Sequence, residues 1–157
     1  MEEHWMWYLS GVVDTVGTFT TKIQKSSQRK IGYKIIPVVY LTRPNNIESI
    51  FGMVDEYTDK MGVRYRIDET KTTNRLVIEN IESIRNFIEP IIDGFVQQRE
   101  RAEFFLDEVL PAFEDRTHEK EEFMELIQLA DELRDYPIER GSSKYDADYF
   151  REEWDVL

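Results

Sequence analysis

Lys22, Lys25, Arg29, Lys30, Lys34 and Arg43 lie in a stretch, residues 18–43, that contains no acid at all. Cations without a carboxylate among them suit the binding of phosphate oxygens, because each Lys or Arg set on a phosphate adds a salt-dependent attraction. The spacing adds a second feature. In "TFTTKIQK", Thr20, Lys22 and Gln24 alternate with Phe19, Thr21 and Ile23, so hydrogen-bonding side chains share one face of a strand. Upstream, "YLSGVVDTVGTF" holds one carboxylate, Asp14, in an apolar and small-residue run that turns at Gly17. Other chemistry is poorly provided for. There is no cysteine, and His4 and His118 stand alone without a second ligand at zinc spacing, so no metal site is expected from them. Glu119, Glu121, Glu122 and Glu125 read as the wet face and N-terminal charge of a helix. No Gly-rich phosphate loop and no Ser/His/Asp arrangement occurs.

The elements that must position these residues follow from periodicity. Trp5, Leu9, Val12 and Val13 predict a helix over residues 5–14, with Ser10 and Gly11 as small residues between them. "TFTTKIQK" is a strand, "SSQRKIG" the loop of a long hairpin, and "YKIIPVVYLT" a second strand. Pro37 is expected to mark that second strand as an edge or a bulge. A helix follows in "RPNNIESIFGMVDEYTDKM", capped by Asn45 or Asn46, with Ile47, Ile50, Phe51, Val54 and Met61 as its stripe and Gly62 as its stop. "VRYRID" and "RLVIENI" are two more strands joined by "ETKTTN". "SIRNFIEPI" is a short helix with Ser83 as its expected cap. Longer helices run from about Gln97 to Ala112 and through Phe123, Leu126, Ile127, Ala130 and Leu133. This order predicts an α+β fold with one four-stranded antiparallel sheet backed by helices. Residues 1–135 form the expected domain. Residues 136–157 form an acidic tail that carries Tyr145, Tyr149, Phe150 and Trp154.

Composition sets the bounds. The chain has 157 residues, 41% of them hydrophobic and 13% aromatic, enough for a folded core. No apolar run approaches the roughly 20 residues of a membrane span. "MEEHW" is acidic where a signal peptide would be basic, and with no cysteine the expected location is cytoplasmic. The net charge of −12 by itself opposes a nucleic-acid partner. The distribution reverses that reading. Residues 107–157 hold 17 acids and 6 bases, a net of −11, whereas residues 1–106 hold 15 acids and 14 bases, a net of −1. The excess of acids, with more Arg than Lys, also fits a salt-loving host.

The order of elements, opened by "LSGVVDTVG", resembles the LAGLIDADG homing endonucleases, in particular the compact members with one motif per chain that work as homodimers. "VDEYTDKMGVRY", "SIRNFIEPI" and the Gln/Arg run before "AEFFLDEVL" resemble further family segments. The likeness spans residues 5–134, with an apparent insertion near "RPNNIES". It implies an α-β-β-α-β-β-α-α fold whose sheet forms a saddle over double-stranded DNA. It also implies a dimer seam on the motif helix, involving Tyr8, Leu9, Ser10, Gly11, Val12 and Asp14. Thr20, Lys22, Gln24, Lys25, Ser26, Gln28, Arg29 and Lys30 would face the DNA from the first strand and its loop. From the second strand Lys34, Ile36, Val38, Tyr40, Thr42 and Arg43 would follow, three of them (Ile36, Val38 and Tyr40) too apolar for base edges. Arg64, Arg66, Lys71 and Arg75 complete the set.

Two positions depart from the family. Where such motifs carry the acid that holds divalent metal, this chain has Val16, which offers no lone pair to Mg²⁺. The basic residue expected before the fourth helix corresponds to Gln98, with Arg99 and Arg101 nearby. The resemblance therefore implies a DNA-binding dimer without hydrolytic activity and with no cofactor. The alternative is a Mg²⁺-dependent endonuclease using a displaced acid, Asp14 or Asp68. A further alternative is a protein-interaction module whose sheet face is covered by a partner or by the tail.

Overall fold

The computed structural model describes residues 3–44, 49–114, 119–136 and 146–154. The proposed caps Asn45 and Asn46, together with Ile47, His118 and Tyr145, lie outside the described residues. A single four-stranded sheet in the order β1-β2-β4-β3 is built from β1 (Gly17–Lys25), β2 (Tyr33–Pro44), β3 (Arg66–Glu69) and β4 (Thr73–Ile78). β4 runs antiparallel to both β2 and β3. The α+β expectation holds. Pro37, however, sits in an inner strand rather than at an edge. It is tolerated because the ladder with β4 begins only at Val39, so no bond to β4 is lost for want of the proline N–H.

The chain divides into two compact units, one of residues 1–19 and 38–103, the other of residues 20–37 and 104–157. β1 and β2 run through both. In the first unit, helix α1 (Glu3–Val16) directs Leu9, Ser10, Val13 and Asp14 inward. Ser10 lies against a 3₁₀ turn (Ile92–Gly94), its hydroxyl 2.8 Å from the carbonyls of both Met6 and Ile91. Helix α2 (Ser49–Met61) meets α3 (Ile81–Ile88) where the buried Tyr57 hydroxyl donates to the Phe87 carbonyl at 2.7 Å. Burial pushes that hydroxyl far above its ordinary pKa. The cap of α3 is Asn80 rather than Ser83. The Asn80 side chain accepts the Ser83 N–H at 3.0 Å, and the buried Ser83 hydroxyl instead accepts from the Arg64 N–H at 2.9 Å. Helix α4 (Arg99–Phe104) begins after the turn.

In the second unit a π-helical turn (Phe105–Val109) leads into α5 (Leu110–Phe113). Pro111 has no N–H and its ring crowds the carbonyl four residues back, and here Leu110 N–H reaches five residues back to Phe105 instead. Helix α6 (Lys120–Arg134) and helix α7 (Ala147–Trp154) close a core around Tyr33, Ile35 and Phe123. Phe150 stands edge-on to Tyr33 and to Phe123, each at 5.1 Å between ring centres. Asp131 on α6 accepts the Ala147 N–H at 3.2 Å, and Asp146 caps the new helix through the Tyr149 N–H at 2.8 Å. The aromatic residues of this segment are therefore core residues. They pack with Tyr33 and Ile35, the alternate β2 positions to Lys34 and Ile36, so this part of the tail does not lie over the Lys34 face. Aromatic area buried against Phe123 outweighs what exposed rings would gain on a charged surface.

Candidate nucleic-acid interface

The C-terminal end of α1 shows how the motif residues are used. Asp14 is buried, and its carboxylate accepts three backbone N–H groups: Val96 at 3.0 Å, Gln97 at 2.9 Å and Gln98 at 2.7 Å. In return the buried Gln98 amide donates to the carbonyls of Asp14 at 2.9 Å and Gly17 at 2.7 Å. One side chain thus caps the start of α4 while the other caps the end of α1. Arg101, also buried, donates twice to the Phe19 carbonyl, at 3.0 and 2.8 Å. Val16 points outward and is 41% exposed. Hard cations need oxygen donors. Here the outward position is hydrocarbon, and the Asp14 oxygens accept backbone amides. Among the described residues no group of three His, Cys, Asp or Glu side chains is placed to hold a metal.

The seam residues inferred for α1 separate into two sets. Leu9, Ser10 and Asp14 are buried by their own chain, whereas Tyr8 and Gly11 are exposed and Val12 is half-buried. A side chain built at Gly11 would meet nothing within 4 Å. The outer face of the helix is therefore apolar with a low point at Gly11.

On the sheet of the first unit, register decides which groups share a face. Tyr40, Val77 and Arg66 form one row, and Thr42, Arg75 and Asp68 form the next. Leu41 and Leu76 pair on the opposite, buried face. The polar rows are tied together by charge. Arg66 contacts Asp68 at 3.1 Å and Glu79 at 2.6 Å, and Arg75 lies 3.7 Å from Asp68 with its guanidinium 4.2 Å over the Tyr40 ring. The hydrogen bond from Arg66 holds the Asp68 carboxyl below the usual carboxylate range, and the bond to Glu79 raises Arg66. Burial raises the Tyr40 hydroxyl. Asp68 and Glu79 were legible as members of this face only through period two, from Arg66 to Asp68 and from Arg75 through Val77 to Glu79.

The remaining candidates scatter around these rows. Arg64 is exposed just before β3, and Lys71 is exposed in the turn where Thr70 and Thr73 hydrogen-bond to each other. Arg43 falls in β2, its side chain outside the described residues. In the second unit Gln24, Lys25, Gln28, Arg29 and Lys30 are exposed, and Thr20, Lys22, Ser26 and Lys34 are half-buried. The hairpin loop is ordered by Ser26 N–H to the Gly32 carbonyl at 2.8 Å, with Gly32 at φ 80°, a left-handed conformation that favours glycine. Val38 is wholly buried although its parity puts it with Lys34 and Tyr40.

The family model described as LAGLIDADG endonuclease matches residues 9–107. The chain belongs to the LAGLIDADG endonuclease family. Solved structures with the same fold include the homing endonuclease I-CvuI bound to the I-CreI target DNA, at TM-score 0.78 and 16% identity over 96% of this chain and 94% of that one. The archaeal intron-encoded I-Vdi141I bound to DNA superposes at TM-score 0.75 with 21% identity over the whole of both chains. The homing endonuclease I-TnaI does so at 0.69 and 15% over 97% of each. No curated protein matches the sequence. At these identities the likeness establishes the fold of this LAGLIDADG chain, and its own residues must carry the rest. Among the described residues no helix is long and apolar enough to cross a membrane.

Proposed function

We propose that this LAGLIDADG chain binds double-stranded DNA as a homodimer and does not cleave it. The observation that carries the loss of cleavage is the pairing of an outward Val16 with an Asp14 whose oxygens accept three backbone amides. Val16 has no oxygen to offer magnesium, the buried Asp14 carboxylate is held on the backbone of residues 96–98, and Gln98, at the position where the family has a base, is turned to the carbonyls of Asp14 and Gly17. Binding is supported by the acid-free segment of residues 18–43, and by the DNA held by I-CvuI and I-Vdi141I in their complexes. Self-association is supported by the outer strip of α1, where Tyr8 is 54% exposed and Gly11 leaves room for a second backbone.

A salt-titrated mobility shift on duplex DNA tests binding. The expected result is a complex at low ionic strength that weakens steeply as salt rises; no complex at any salt overturns the reading and favours a protein partner. Plasmid nicking with Mg²⁺ or Mn²⁺ tests the chemistry. The protein is expected to be inert, and cleavage abolished by Asp14→Asn or Asp68→Asn at unchanged DNA affinity would establish the displaced-acid alternative.

A further inference from the structure

The acid-free hairpin and the β2–β4–β3 rows of the first unit differ in one respect that bears on binding. The hairpin segment has six bases and no acid, while the rows hold Arg66, Arg75 and Asp68, joined by ion pairs to one another and to Glu79 just past β4. Asp68 touches both arginines, Glu79 touches Arg66, and Arg75 is stacked on Tyr40. All four charged side chains remain part-exposed, so a phosphate can approach them. A carboxylate and a phosphate compete for the same guanidinium fork.

We propose that Asp68 and Glu79 are internal stand-ins for phosphate, which hold Arg66 and Arg75 neutralised and set the DNA affinity of this face by making every phosphate contact an exchange. The inference rests on the DNA-binding reading. Its physical content is that these carboxylates act as a brake. They oppose phosphate both by occupying the donors and by repulsion, and they leave base edges, which carry no net charge, as the better ligands for the two arginines.

The test is the double variant Asp68→Asn/Glu79→Gln, measured against wild type on a random-sequence duplex across a salt series. The expected gain is about tenfold in affinity at 0.15 M salt. The slope of log K against log salt should steepen by about 0.9 for each arginine that gains a phosphate. Two controls separate release of arginine from mere loss of negative charge. Glu56→Gln/Glu89→Gln removes the same charge from α2 and from the residue after α3, where the partners are Lys60 and Arg85, and is expected to change affinity less than twofold. Arg66→Gln/Arg75→Gln is expected to weaken binding, because it leaves Asp68 and Glu79 uncompensated, and combining it with Asp68→Asn/Glu79→Gln is expected to cancel the gain. The single variants provide the same reading if the double variant does not fold.

If wild type binds and the double variant binds no better, or no better than the helix control, the inference is overturned and the DNA-binding reading stands. If neither protein binds at any salt, both fall.

Discussion

Replacing Asp14 by Asn tests the central structural argument, that this motif carboxylate is a cap and not a reagent. The carboxylate receives N–H groups from Val96, Gln97 and Gln98 at 3.0, 2.9 and 2.7 Å, two on one oxygen and one on the other. An amide keeps one of those oxygens and turns an NH₂ donor toward the remaining N–H. Losing a hydrogen bond to a charged group and leaving its partner unsatisfied costs about 1–3 kcal/mol. The Gln98 amide is buried, whereas the Val96 and Gln97 residues are exposed enough for water to offset part of their loss. The net expectation is about 1–3 kcal/mol, which lowers the melting temperature by roughly 2–12 °C at this chain length. Thermal unfolding followed by circular dichroism reads the shift. Gln98→Leu removes the reciprocal bonds to the Asp14 and Gly17 carbonyls, and the double variant should be more stable than the sum of the two losses predicts, because each cap supports the other. A loss below about 1 kcal/mol in Asp14→Asn refutes the reasoning, since three short bonds to one buried carboxylate cannot be that weak.

Gly94→Ala tests the packing of α1. A methyl there would lie 2.4 Å from Ser10 Cβ, 2.7 Å from its Oγ and 3.1 Å from Trp7 Cε3, so helix and turn must part. The expected cost is about 1–3 kcal/mol in urea unfolding, and an unchanged midpoint would show the contact to be looser than described. A pH prediction follows from Asp68. Its carboxyl is held below the ordinary range by Arg66, so its contribution to stability is present above the unfolded-state pKa and is lost as pH falls through the depressed folded value. The stability difference between wild type and Asp68→Asn should therefore be present at neutral pH and shrink to nothing on acidification through that window. A difference that persists at the acid end would mean that charge is not its origin.

Much of the architecture is written in short-range pattern. The alternation of Phe19, Thr21 and Ile23 with Thr20, Lys22 and Gln24 marks β1, and the spacing of Ile84, Phe87 and Ile88 marks α3, because side-chain direction repeats with the backbone period. The absence of a donor at Val16 is likewise a fact of sequence once the motif is recognised. Ser83 was misread as a cap because Ser and Asn cap equally well, and only the observed bond to Asn80 separates them.

What the chain determined alone, then, is the order of elements, the face each presents and the missing oxygen at residue 16. What packing decided is which partner each polar group finds. Asp14 reaches amides more than eighty residues away, Asp68 meets Arg75 only through the register of β3 on β4, and Phe150 enters a core with Tyr33. Such pairings depend on how elements dock, a property of the whole fold that no local period encodes.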